Sequence, residues 1–208
     1  MENANLILDY LKDLIWPALI LFVLVIYRSH IGALIPRIKS LTTPAGSIEF
    51  AEEARSLLDQ ASAATNVVVP MHIRRAVIRR LEYAAEIIAG GKLLWVDDRP
   101  ENNTALIELF RSVGMKVDTA LSTSAAPTHL HRGPYDIILT DIGRAGDQQA
   151  GITMLRDLDQ HGVDTPVVLY TLGFDDARAI PRRVFAVTEV PDELVHYVID
   201  LMERVKFE

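Results

Sequence analysis

Residues 92–98 read Lys92-Leu93-Leu94-Trp95-Val96-Asp97-Asp98, and this stretch decides the fold: a short apolar run ending abruptly in two carboxylates. The pattern returns twice downstream, as Ile137-Ile138-Leu139-Thr140 before Asp141 and as Val167-Val168-Leu169-Tyr170 before Thr171. Four- or five-residue apolar runs bounded by turn signals and separated by helix-length segments read as parallel strands buried on both faces. The spacing predicts five βα units from Lys92 on: strands at 92–96, 115–120, 136–140, 166–171 and 184–188, and helices at 102–113, 124–131, 151–160, 175–180 and 192–205. The fold class is α/β, a flavodoxin-like doubly wound five-stranded parallel sheet. Ligands of such sheets sit beyond the carboxyl ends of the strands. Asp97, Asp98, Asp141 and Thr171 all fall there, so one acidic pocket is expected. Strand-end Asp residues also cap helices, and Thr is a common strand residue, so a purely structural role stands beside the chemical one.

Upstream, residues 14–27 are uncharged and almost wholly apolar, and a looser stretch from Leu6 reaches the length of a bilayer core with Asp9, Lys12 and Asp13 as interruptions. A transmembrane anchor over 1–30 is the reading, with a buried core helix and a signal peptide as alternatives. The acidic start and Arg28-Ser29-His30 after the run argue against a signal peptide. Trp16 and Tyr27 sit as interfacial aromatics do. Arg28, Arg37 and Lys39 follow on the carboxyl side, which places a single-pass chain in the inner membrane with its carboxyl-terminal domain in the cytoplasm. Residues 31–90 then read as a juxtamembrane and helical linker, and 91–208 as the α/β domain. Within the linker, 46–50 alternates like a strand, and Glu52–Ala64 presents Ala54, Leu57, Leu58 and Ala61 on one helical face. Residues 71–89 form an amphipathic helix with Ile73, Val77, Leu81, Ala84 and Ile88 on one side and Arg74, Arg75, Arg79 and Arg80 elsewhere, closed by Gly90-Gly91. That apolar stripe fits packing on its own domain as well as a parallel dimerisation helix, so a homo-oligomer is one expectation. The arginines fit a solvated face or an anionic-lipid contact.

Charge divides the chain of 208 residues unevenly. Residues 1–90 balance 9 basic against 9 acidic side chains, and residues 91–208 carry 12 against 19, so the whole net charge of −7 lies in the second half. An acidic domain excludes nucleic-acid binding through that surface. The chain has no cysteine, which excludes a disulfide framework, thiolate metal ligation and a Cys nucleophile.

The runs LLWVDD, YDIILTD and TPVVLYT, with Pro191-Asp192-Glu193-Leu194 opening the last helix, resemble the receiver domain of bacterial two-component response regulators over residues 92–206. Asp97 to Asp141 is 44 residues and Asp141 to Thr171 is 30, as in that family. The resemblance implies that Asp141 accepts a phosphoryl group from a histidine kinase or other signalling protein. It implies Mg2+ held by Asp98, Asp141 and the carbonyl of Gly143, with Asp97 ordering waters, and Thr171 meeting the phosphoryl oxygen. The family also carries a lysine at the end of its fifth strand, where an ammonium pairs with the phosphoryl group. Here that place falls to Glu189 or Val190, and no Lys or Arg lies between Arg183 and Arg204. Two signalling readings compete: a membrane-tethered receiver phosphorylated on Asp141, and a pseudo-receiver that acts as an interaction or assembly scaffold. Neither is an enzyme, and output is expected through partners or self-association. A nucleotide hydrolase of the TIR type is a third reading, with only Glu101, Glu189 and Tyr170 as parts. His129-x-His131, at a spacing that does not share a helix face, reads as a surface pair. Gly143-Arg144-Ala145-Gly146 lacks the Lys of a phosphate-binding P-loop and reads as a lip of the acidic pocket. Asp175-Asp176 and Asp157-x-Asp159 read as solvated caps.

Overall fold

Helix α1 (Pro44–Thr65) carries the first strong apolar face among the described residues, with Ala54, Leu57, Leu58 and Ala61 all buried. The computed structural model describes residues 44–143, 149–173 and 181–207, and for 44–47 only the backbone. The chain divides into two units, Met1–Ile48 and Glu49–Glu208, and the second holds the sheet and its helices. The apolar run of 14–27 and the helix expected at 175–180 lie outside the described residues. Among the described residues no helix is long and apolar enough to cross a membrane.

The order after α1 is α2 (Met71–Ile88), β1 (Lys92–Val96), a 3-10 turn (Pro100–Asn103), α3 (Thr104–Ser112), β2 (Lys116–Ala120), α4 (Ala126–Leu130) and β3 (Ile137–Thr140). Then come α5 (Ala150–Gln160), β4 (Val167–Tyr170), β5 (Val184–Thr188) and α6 (Pro191–Phe207). The five strands form one parallel sheet in the order β2-β1-β3-β4-β5. All four side chains of β3 and of β4 are buried, which explains why these strands read as unbroken apolar runs. Strand alternation sends Leu93, Trp95, Ile137, Leu139, Val168 and Tyr170 into one core layer, shared with α1, α2, α3 and α6. Leu94, Val96, Ile138, Val167 and Leu169 enter the other, under α4 and α5.

Helices α1 and α2 are part of that first layer. Leu57 and Leu58 on α1 and Val77, Leu81 and Ile88 on α2 are buried in the same cluster as Trp95 and Phe110. Each such side chain contributes about 1.5–3 kcal/mol relative to exposure. The stripe of α2 packs along α6, whose Leu194, Val198, Leu201 and Met202 are buried in the same cluster. Val77, Leu81 and Ile88 of the stripe are therefore packed within this chain, while Met71, Ile73 and Tyr83 of α2 stay exposed. The turn between α2 and β1 is tight. Gly90 adopts φ 82°, a left-handed value that glycine takes without Cβ strain. A Cβ on Gly91 would stand 2.6 Å from Met202 Cε.

Two local expectations are corrected by the structure. Residues 46–50 are helical, not a strand: they lie in the first turns of α1, where Phe50 and Ala51 pack against the same core, and among the described residues no strand pairs with them. The buried face of α2 keeps Val77, Leu81, Ala84 and Ile88 as expected but begins at Arg74 in place of Ile73. It runs through Arg74, Val77, Ile78, Leu81, Ala84 and Ile88, while Ile73 stays 41% exposed. Arg74 replaces Ile73 because carboxylates wait for it inside. Its Nε and Nη2 donate to Asp192 at 3.2 and 2.8 Å, and its guanidinium also meets Asp59 and Ser62 of α1. Arg80, half-buried, pairs with Asp200 and with Glu203 at 3.3 Å on α6. Only Arg75 and Arg79 of the cluster stay fully on the outer face.

Candidate functional site

The carboxyl ends of β1, β3 and β4 open on a pocket of about 650 Å³. β1 delivers Asp97 and Asp98, β3 delivers Asp141 with Ile142 and Gly143, and β4 delivers Thr171. Parallel strands in register put these positions side by side, since Val96 pairs with Thr140 and Thr140 with Leu169. Every site residue expected from the sequence therefore lines one pocket. Among the described residues that line it, four are carboxylates, counting Glu189, and one is a cation, Arg99, so the field inside is negative.

Asp97 is buried, and both its oxygens are held. Oδ1 accepts the Arg99 backbone N–H at 2.8 Å, and Oδ2 accepts Asn103 Nδ2 at 2.6 Å. It thus orders the turn that leads into α3 without capping either helix, whose N-cap positions are Arg99 and Asn103. Asp98 and Asp141 are half-buried. Asp141 Oδ1 accepts the Gly143 N–H at 3.3 Å, which folds the β3 loop back over its own carboxylate. Thr171 is buried, and its N–H donates to the Thr188 carbonyl of β5 at 3.0 Å.

Glu189 follows the last residue of β5 and lines the pocket, so it is Glu189, not Val190, that occupies the end of the fifth strand. Its Oε2 accepts the Gly173 N–H at 2.9 Å, tying the β4 loop to the β5 loop across the rim. Thr188 behind it donates to Glu193 Oε2 at 2.6 Å and accepts the Val190 N–H at 3.0 Å, fixing the entry to α6.

Four contributors were not foreseen. Asn103 holds Asp97, and Gly151 in the first turn of α5 holds the β3 loop. A Cβ there would lie 2.4 Å from the Asp141 carbonyl oxygen, and the Gly151 N–H donates to the Ile142 carbonyl at 3.0 Å. A glycine where a helix former would be preferred was the only sequence signal of that close approach. Ala64 and Thr65, at the end of α1, supply a wall of the pocket, and nothing in the local sequence announces it.

The donors suit a hard cation. The side chains that face the pocket offer oxygen ligands, and among the described residues no three His, Cys, Asp or Glu side chains form a cage of their own. Mg2+ is ordinarily held by one or two carboxylates and completed by water and phosphate oxygens, so Asp98, Asp141 and the Gly143 carbonyl fit it. Most of the other candidates do not join the site. His131 Nδ1 lies 2.6 Å from the Pro127 carbonyl on α4. Asp159 pairs with Arg183 and Glu101 is exposed on the 3-10 turn, whereas Tyr170 does line the pocket with its ring edge-on against Trp95. Residues 144–146 and Asp175-Asp176 lie outside the described residues.

Comparison with known proteins agrees with this geometry. Residues 93–184 match the family model described as "Response regulator receiver domain". Among solved structures, a receiver domain of a Francisella response regulator is 22% identical, with a TM-score of 0.50 over 56% of this chain and 100% of that one. Response regulator TrrA of Thermotoga maritima, solved in complex with Mg2+-BeF, is 24% identical, covers 53% of this chain and 98% of its own, and has a TM-score of 0.46. A receiver domain from Clostridium thermocellum is 20% identical, covering 56% and 97%, with a TM-score of 0.48. No curated protein matches the chain.

Proposed function

We propose that the chain, which matches the response regulator receiver domain model over residues 93–184, works as a membrane-anchored signalling module that carries a phosphoryl group on Asp141. The observation that supports this best is the gathering of Asp97, Asp98, Asp141, Gly143 and Thr171 around one pocket at the strand ends. The anchor is the apolar run of 6–27, which leaves the receiver on the cytoplasmic side.

In the reaction, a carboxylate oxygen of Asp141 attacks the phosphorus of a phosphohistidine on a kinase partner. A P–O bond forms as the P–N bond breaks, and the imidazole takes the departing electron pair. Bound Mg2+ supplies charge neutralisation for the phosphoryl oxygens. Asp98, Asp141 and the Gly143 carbonyl hold it, Asp97 orients water, and the Thr171 hydroxyl donates to a phosphoryl oxygen. The Gly143 N–H that now bonds Asp141 Oδ1 keeps the carboxylate facing the pocket.

One observation favours a second reading, that of a pseudo-receiver serving as an interaction scaffold. Glu189 stands at the rim where the resemblance leads one to expect a lysine, and it adds negative charge to the place a phosphoryl group would occupy. The two readings separate by intact mass of the protein after incubation with Mg2+ and a small-molecule phosphodonor, beside Asp141→Asn. The expected result is one phosphoryl adduct that the variant lacks. No adduct, with no Mg2+-dependent change in Trp95 fluorescence, would favour the scaffold and turn the search to binding partners.

A further inference from the structure

We infer that the α1–α2 helical pair reads the state of the acidic pocket, through the contact of Thr65 with Tyr170 and through Arg74, which ties the end of α1 to the start of α6. The inference rests on the pocket taking up a phosphoryl group at Asp141, and it concerns elements that precede the receiver-matched residues 93–184.

Ala64 and Thr65 close one side of the pocket in which Asp141 and Thr171 stand. Thr171 is the residue placed to meet a phosphoryl oxygen, and its chain neighbour Tyr170 points back into the layer that holds α1. Tyr170 is 7% exposed, yet among the described residues its hydroxyl has no hydrogen-bond partner. Thr65 lines the same pocket as Tyr170. It spends its own proton elsewhere, on the Ala61 and Ser62 carbonyls at 3.2 and 3.3 Å. A buried hydroxyl without a partner is unfavourable, and a Thr bonded back to its own helix is readily turned. The pair therefore has two arrangements: the one observed, with Thr65 turned to its helix, and one in which Thr65 and Tyr170 bond to each other.

A shift of Thr171 towards a phosphoryl oxygen moves the backbone of Tyr170, whose ring is wedged edge-on against Trp95 at 6.0 Å between centroids. The displacement is felt at the hydroxyl end, against Thr65. The last turns of α1 cannot absorb it locally, because Asp59 and Ser62 grip Arg74 on α2 and Arg74 grips Asp192 at the start of α6. The three helix ends move together or not at all. Both the pocket and the helical pair thus bias one two-state contact, which is the physical requirement for coupling. Linkage makes it reciprocal, so that a pull on α1 from the residues before it changes the affinity of the pocket by the same factor.

The test is hydrogen–deuterium exchange on the full chain with Mg2+ alone and with Mg2+ and beryllofluoride, a stable phosphoryl mimic. Binding is scored independently by the fluorine signal of the bound mimic. The expected result is a change of about three-fold or more in exchange over residues 60–66 and 72–76 on adding the mimic. In Tyr170→Phe and in Thr65→Val, both of which keep shape and remove one hydroxyl, that change disappears at mimic concentrations that saturate each variant by its own fluorine signal. Bound mimic with unaltered exchange over 60–66, or an unchanged response in both variants, overturns the coupling and leaves the phosphoacceptor reading intact. An absence of bound mimic in the wild-type protein overturns that reading, and the coupling falls with it.

Discussion

Gly151 sets the position of the Asp141 loop more sharply than any side chain does. The first turn of α5 lies against the Asp141–Ile142 backbone so closely that a methyl group would overlap the Asp141 carbonyl at 2.4 Å, against backbone that cannot swing aside. Gly151→Ala should therefore cost about 1–3 kcal/mol, read as a lower urea midpoint, and should weaken Mg2+ binding by moving Asp141. Unchanged stability would mean the helix start has room to retreat. The carboxylates and Thr171 were legible in the sequence because they end apolar runs, a position that topology alone makes functional. Asn103, Gly151 and Thr65 were not, since each matters through a neighbour brought to it by packing.

At the scale of elements, the junction of α1, α2 and α6 turns on the ion pair of Arg74 and Asp192, whose side chains are 5% and 1% exposed. Burial alone would lower the pKa of this guanidinium; Asp192 and then Asp59 more than offset it and raise the pKa. Removing Asp192 leaves the buried guanidinium with only the half-exposed Asp59 and the Ser62 hydroxyl as partners. Asp192→Leu is expected to cost about 3–5 kcal/mol, while the double variant with Arg74→Met returns to within about 1–2 kcal/mol of wild type. Chemical denaturation of the four proteins decides it: a double variant as unstable as the single one would show that Arg74 stabilises through Asp59 and Ser62 instead. The strands were readable because burial on both faces writes itself as an unbroken apolar run. The first turn of α2 was misjudged because an arginine in a helical pattern is assigned outward, and the carboxylate that draws Arg74 inward lies 118 residues later in the chain.

For the folded unit as a whole, stability should depend on pH through His196, which lies half-buried on α6 with Nδ1 3.0 Å from Arg80 Nη1. Burial and then the Arg80 charge lower its pKa below the ordinary value near 6.5. The unfolded chain therefore takes up a proton that the folded chain refuses. The stability present above pH 6.5 falls as pH drops through that value and levels off below the folded pKa. Melting temperatures measured from about pH 8 to about pH 5 should show that decline, and His196→Gln should flatten its His-dependent part. The same long-range contacts govern how the molecule is made. Helix α2 lies against α6, and the bonds from Arg74 to Asp192 and from Arg80 to Asp200 span 118 and 120 residues. While the ribosome is still adding the whole sheet, the apolar stripe of Val77, Leu81 and Ile88 waits without its partner. The seventeen-residue helix that closes the core leaves the ribosome after every strand of the sheet.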